Sequence, residues 1–179
     1  MKKSILILVV VLLASLTAGA QSMRNAGSET RNIELGVTYL PTHLTSTWFQ
    51  GAGAEFSVDV WRNVGVAGNF TGGYKSISNR FGQSGSSTYE SFTFGPRYTY
   101  RQNKTAVYGE ALFGVLHGNL NTNLAGFNNE SGNDFAFQLG GGFDYSLSHK
   151  IALRVPQVHY MRAGGANVMQ IGGGVVFHF

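Results

Sequence analysis

The chain has 179 residues, with 13 Phe, 8 Tyr, 25 Gly, 3 Pro and no Cys, and 12% of it is charged. Without cysteine there is no disulfide, thiol nucleophile or thiolate metal site. The formal net charge of +4 comes from scattered residues and is too small to indicate a nucleic-acid partner, while the aromatic content excludes a disordered Gly-rich chain.

Lys2 and Lys3 precede an unbroken apolar run from Ile5 to Leu13, and Ala18-Gly19-Ala20 supplies a cleavage pattern before Gln21. This is the layout of a secretory signal peptide, expected over 1–20. At 1.5 Å per residue the run is too short to span about 30 Å of hydrocarbon as a helix. No Cys follows it, so lipoprotein processing has no acceptor. Residues 21–179 are then expected to form one domain.

Eight segments alternate with the period of two that defines a strand with two different faces. In IELGVTYL, Ile33, Leu35, Val37 and Tyr39 oppose Glu34, Gly36 and Thr38. From about Gly51 to Trp61, Ala54, Phe56, Val58 and Val60 oppose Glu55, Ser57 and Asp59. From Val64 to about Lys75, Val64, Val66, Phe70 and Tyr74 oppose Ala67, Asn69, Thr71 and Lys75. In ESFTFGPRYTY, Phe92, Phe94, Pro96, Tyr98 and Tyr100 oppose Ser91, Thr93, Gly95, Arg97 and Thr99. From about Thr105 to His117, Val107, Gly109, Ala111, Phe113 and Val115 oppose Tyr108, Glu110, Leu112 and Gly114. In DFAFQLGGGFDYSL, Phe135, Phe137, Leu139, Phe143, Tyr145 and Leu147 oppose Asp134, Ala136, Gln138, Asp144 and Ser146. The seventh segment starts at Ile151 and places Arg154 on the polar face. A one-residue bulge at Pro156, which has no N–H to donate, would turn Gln157 and His159 to that face as well. The eighth, MQIGGGVVFHF, carries Met169, Ile171, Val175, Phe177 and the last residue Phe179 on its apolar stripe.

Glu34, Glu55, Asp59, Arg97, Glu110, Asp144 and Arg154 all fall opposite the aromatic stripe. A soluble barrel with an apolar interior needs abundant charge outside, and this chain has little. The pattern predicts the reverse, an all-β, eight-stranded antiparallel transmembrane barrel with an apolar exterior and a polar lumen. Connections at 62–63, 101–104 and 148–150 are short. Those at 40–50, 76–88, 118–132 and 162–167 are mostly longer and rich in Ser, Asn, Gly and Thr, which are read as loops. Short turns and longer loops at opposite ends are the layout of such barrels, with both termini at the short-turn end.

The leader, the hairpin meander, FTFGPRYTYR at 92–101, ALFG at 111–114, FQLGGGFDYSL at 137–147, RVPQVHYMR at 154–162 and the final GGGVVFHF together resemble the OmpA-like family of eight-stranded outer-membrane β-barrels. The resemblance implies Sec-dependent export, residence in a bacterial outer membrane among its lipids, and a structural or surface-interaction role. It also implies that the barrel-assembly machinery reads the closing strand, with Phe177 and Phe179 as the assembly signal. Some members carry a peptidoglycan-binding domain after the barrel. This sequence ends at the last strand, so cell-wall anchoring is not expected of it.

The inward charges are expected to be lumen filling, because an eight-stranded barrel is only wide enough for side chains and its buried charges must pair. Arg97 is expected to meet Glu110, and Arg154 to meet Asp144. The five inward carboxylates are spread over four strands, so no acid–base pair stands out. A serine–histidine hydrolase on a barrel wall needs both residues on one face, often two apart, whereas Asn119 follows His117 and Met161 follows His159. His43, His117, His149, His159 and His178 share no metal-ligand motif, and FNNESGND lacks EF-hand spacing. No catalysis, cofactor or metal is expected, and the chain is expected to be monomeric. An outer-membrane lipid-modifying enzyme and a small passive channel are the alternative functions. WFQ at 48–50 and Arg80-Phe81 are exposed apolar signals, expected at the membrane edge or in contact with an external ligand.

Overall fold

The computed structural model describes residues 33–44, 47–78, 84–122 and 130–179. The leader over 1–20, Arg80-Phe81 and Phe127 to Asn129 lie outside these residues.

Strong β-formers alternating with small or polar residues build nine strands: β1 Ile33–Tyr39, β2 Thr42–Leu44, β3 Thr47–Trp61, β4 Val64–Ser78, β5 Ser84–Gln102, β6 Thr105–Thr122, β7 Glu130–Ser146, β8 Ile151–Ala163 and β9 Ala166–His178. All pairings are antiparallel. β1 and β2 both pair with β3 on one side and β9 on the other. They are therefore one stave of the wall, interrupted at Leu40-Pro41. Across the break the ladder continues through Leu40 N–H to Gly51 O at 2.9 Å and Ile171 N–H to Pro41 O at 3.2 Å. Every other strand pairs with its chain neighbours, and β9 returns to β1, so the sheet closes as an eight-staved barrel with no free edge.

The exterior is apolar. Phe92, Phe94, Phe113, Val115, Leu139, Tyr160, Ile171 and Val175 are all exposed, and the opposite faces of the same strands are buried. Sequence alternation and wall curvature agree, because outward side chains diverge from one another and inward ones converge. On β8 two residues, Val155 and Pro156, stand against one on each neighbouring strand between Arg154 and Gln157. The bulge keeps Gln157 and His159 inside, each 1% exposed, with Val158 and Tyr160 outside.

Three connections are short turns at the end of the barrel where β1 begins and β9 ends: Arg62-Asn63, Asn103-Lys104 and Leu147 to Lys150. Arg62 and Asn103 have φ of 47° and 54°, the left-handed conformation that tight turns use. The distal end departs from the sequence reading. Much of 40–50, 76–88 and 118–132, expected as loop, is strand. β2 forms within the first, β4 and β5 pair out to Ser78 and Ser84, and β6 and β7 pair out to Leu120 and Glu130. The stretch 162–167 tightens to a turn at Gly164-Gly165.

Candidate functional site

The lumen collects the charges in tiers, ordered by distance from the terminal end. In the lowest tier Arg101 on β5 reaches Glu34 Oε1 on β1 at 2.7 Å and Asp59 Oδ2 on β3 at 2.8 Å. His178 Nδ1 lies 3.7 Å from the same Glu34 oxygen.

The next tier is centred on Tyr108 of β6. Its ring is contacted by two guanidinium carbons, Arg97 Cζ at 4.3 Å and Arg154 Cζ at 4.2 Å from the centroid. Cation–π attraction is worth about 2 kcal/mol or more in such desolvated settings. Arg97 donates from Nε at 2.8 Å and from a terminal nitrogen at 2.6 Å to Glu110 Oε2. The same terminal nitrogen is 3.2 Å from Glu55 Oε2. Arg154 makes a two-pronged contact with Asp144, each prong 2.6 Å, and its remaining terminal nitrogen meets Glu55 Oε1. Glu34 closes the set at 3.8 Å from Arg97 and 3.6 Å from Arg154. Neutral groups complete the carboxylate shells. Asn69 donates to Glu110 at 2.9 Å, Ser57 to Glu34 at 3.1 Å and Gln157 to Glu55 at 3.1 Å, and His159 Nε2 lies 3.1 Å from Glu110.

Glycines make the room. A Cβ at Gly142 would come within 2.8 Å of the Tyr108 ring and hydroxyl, and one at Gly36 within 2.7 Å of Glu55 Cγ. The GGG of β7 is thus partly a recess for the stacked tyrosine.

Beyond this tier the lumen turns neutral. Thr93 donates to Gln138 at 3.2 Å, and Thr71 pairs with Ser91 at 2.6 Å and receives Gln170 at 3.3 Å. Thr42 pairs with the Tyr89 hydroxyl. Several buried lumen atoms, including Gln138 Nε2, Gln170 Oε1 and His159 Nδ1, have no hydrogen-bond partner among the described residues. Towards the distal end the interior becomes apolar. Phe49, Tyr89, Leu116, Ala136, Met161, Ala163 and Val168 pack as one cluster, with Phe49 and Tyr89 edge to face at 5.6 Å.

The structure thus brings Glu34, Glu55, Asp59, Arg97, Glu110, Asp144 and Arg154 into one lumen, with Arg97 against Glu110 and Arg154 against Asp144. Sequence reasoning missed Arg101, which it placed in a turn, and the bridging role of Tyr108. It expected a mixed, mainly polar interior and missed the apolar cluster. The signal was present in part, since Leu112, Leu116 and Val168 all sit in the inward register. Of WFQ, Trp48 is outside, 55% exposed against His43, whereas Phe49 is 4% exposed inside. Phe177 and Phe179 are outward, at 37% and 62% exposure. Among the described residues no cluster of three or more His, Asp or Glu side chains is arranged to hold a metal.

No protein-family model matches the chain, and no curated protein sequence does. Solved structures do match it in shape. Ail of Yersinia pestis superposes with a TM-score of 0.64 at 18% identity, over 84% of this chain and 100% of that one. Neisserial surface protein A superposes with a TM-score of 0.61 at 10% identity, over 86% and 99%. OprG of Pseudomonas aeruginosa superposes with a TM-score of 0.54 at 13% identity, over 86% and 98%. The chain has the fold of an outer-membrane β-barrel. At these identities the likeness speaks for the fold alone.

Proposed function

We propose that this protein is a non-catalytic integral protein of a bacterial outer membrane, with a structural role in the membrane and a surface-interaction role at its distal hairpins. The observation that carries the reading is the pairing of an apolar exterior with a lumen filled by Tyr108, its two arginines and an apolar cluster above them. Such a wall satisfies its backbone internally and offers lipid an apolar surface. Its filled interior opposes passage of hydrated ions. The paired strands at the distal end raise polar hairpins beyond the apolar belt, where loops serve recognition. Ail has been solved in complex with the heparin analogue sucrose octasulfate. In this reading the chain is exported through the Sec pathway on residues 1–20, inserted as a monomer by the barrel-assembly machinery through Phe177 and Phe179, and bathed by outer-membrane lipid.

One observation bears on the enzyme alternative. His117 Nδ1 lies 2.7 Å from Asn133 Oδ1 on the outer face of β6 and β7, so the imidazole has an orienting partner. The position two along β6 is Asn119, which offers no nucleophile, and Ser131 stands opposite Asn119 rather than His117. This favours the non-catalytic reading. The test uses purified barrel in lipid. Planar-bilayer conductance at the level of a protein-free membrane, with no fatty acid released from phospholipid or lipopolysaccharide, is the expected result. Steady conductance steps would establish the channel, and fatty-acid release lost in His117→Ala would establish the enzyme.

A further inference from the structure

The outer face carries a lateral row in which Tyr39 stands opposite Ala52, Ala52 opposite Gly72, Gly72 opposite Glu90, Glu90 opposite His117 and His117 opposite Asn133. The next row towards the terminal end is Ala54, Phe70, Phe92, Val115 and Phe135, entirely apolar. The next row towards the distal end is Gln50, Tyr74, Thr88, Asn119 and Ser131, mainly polar. On β5, Glu90 therefore sits at the upper edge of the apolar belt, between outward Phe92 on the terminal side and Thr88 on the distal side. A carboxylate one row deeper would face hydrocarbon, at a cost of several kcal/mol. Where the row lacks side chains, at Ala52 and Gly72, the surface opens into a groove of about 420 Å³. Tyr39 and Tyr74 are its aromatic walls, 54% and 52% exposed, and Glu90 closes one side. The Tyr39 hydroxyl is tied to Gln50, which fixes that ring.

We propose that this groove holds the ammonium group of a lipid headgroup. The proposal rests on the reading that the exterior faces outer-membrane lipid. Its chemistry follows from charge and shape. Glu90 is the charged residue of the lining, and among the described residues no cation stands within ion-pairing distance of it. His117, its neighbour in register, is engaged with Asn133. Lys75 follows Tyr74 on β4 and therefore points to the opposite face of the wall. With no base in the lining, a phosphate has no partner, whereas an ammonium finds a carboxylate and two aromatic faces, the combination that recognises such cations elsewhere. The groove also lies at headgroup depth, so a lipid reaches it without leaving its leaflet.

The test uses the refolded chain in nanodiscs of phosphatidylglycerol, which has no ammonium, titrated with phosphatidylethanolamine and read by backbone amide NMR. Saturable shifts confined to Ala52, Gly72, Gly73 and Glu90 are expected, with Gly140 to Gly142 on the opposite wall unmoved. Glu90→Gln should raise the half-saturating fraction about tenfold. Gly72→Leu should abolish the response while the barrel still folds, because a Cβ there meets only Tyr89 O at 3.7 Å and Glu90 Cγ at 4.0 Å. Shifts spread evenly around the barrel, or a Glu90→Gln variant that responds like the parent, would overturn the proposal. Failure of the parent chain to insert would overturn the membrane reading itself, an outcome distinct from insertion without a groove-confined response.

Discussion

Arg97→Met tests the lumen network at its best-connected point. Arg97 is 2% exposed and touches Glu110 through two hydrogen bonds, Glu55 at 3.2 Å, Glu34 at 3.8 Å and the Tyr108 ring. Among the described lumen side chains, Glu34, Glu55, Asp59, Glu110 and Asp144 already outnumber Arg97, Arg101 and Arg154. Methionine fills most of the volume but leaves Glu110 with only Asn69 and His159. Removing one member of a buried pair costs about 3–5 kcal/mol, because the partner stays buried and unpaired. Arg101→Met should cost less than half of that, since the Arg101 side chain is 28% exposed and water screens its pairs. The assay is reversible urea unfolding in phospholipid vesicles, followed by the fluorescence of Trp48 and Trp61. In a double-mutant cycle Arg97→Met and Glu110→Gln should couple by about 1–3 kcal/mol. A loss below about 1 kcal/mol for Arg97→Met, or a cycle that closes with no coupling, would refute the idea that pairing holds this lumen together.

Depth on the lipid face is tested by one change at two heights. Leu139→Arg, at an exposed position in the middle of β7, should cost about 2–4 kcal/mol, and Leu147→Arg in the terminal-end turn about 0–1 kcal/mol. Equal penalties in the same vesicle titration would argue against the assigned belt. Topology is tested by cysteines at Asn63, Lys104, Gly85 and Ser131. An impermeant maleimide on intact cells should label the last two and spare the first two, and the reverse pattern would invert the barrel. Deleting Phe179 should slow insertion in cells more than refolding into vesicles that lack assembly machinery. An equal fall in both would reduce Phe179 to a burial contribution.

The barrel was legible because each wall strand has two chemically different faces, and alternation records which is which. The bulge at Pro156 was legible for the same reason, because the stripe slips there in the middle of a strand. The distal strands were not. Around Thr42–Leu44 and Gly118 to Thr122 the outward register carries His43, Asn119 and Asn121, so no apolar stripe marks them, and pairing with β3, β5, β7 and β9 makes them strands. The charged lumen residues could be named but not fully connected, because one sequence does not fix register. The apolar cluster was hidden by the premise that inward means mainly polar. Phe49, Leu116, Met161 and Val168 meet only because the closed wall points four strands at one place.

That dependence on closure has a kinetic consequence. Some lumen ties, such as Arg97 to Glu110, join neighbouring strands, but others run across the barrel. Arg101 of β5 holds Glu34 of β1, Gln157 of β8 holds Glu55 of β3, and Gln170 of β9 holds Thr71 of β4, with sequence separations of 67, 102 and 99 residues. None of these strand pairs is adjacent in the wall, so the contacts cannot form in a hairpin or a partial sheet. The local ladders β4–β5, β5–β6 and β6–β7 need only short loops to close and carry little entropy cost by comparison. The cross-barrel ties should therefore form after the hairpins, when β9 meets β1. Interactions absent from a folding transition state act on unfolding and leave folding nearly untouched. Arg101→Met, which removes ties from β5 to Glu34 of β1 and Asp59 of β3, should accordingly raise the unfolding rate by most of its stability loss while the refolding rate in vesicles changes less than about threefold. A refolding rate that falls in proportion to the lost stability would mean that the network forms early, and that the wall assembles around the charges rather than before them.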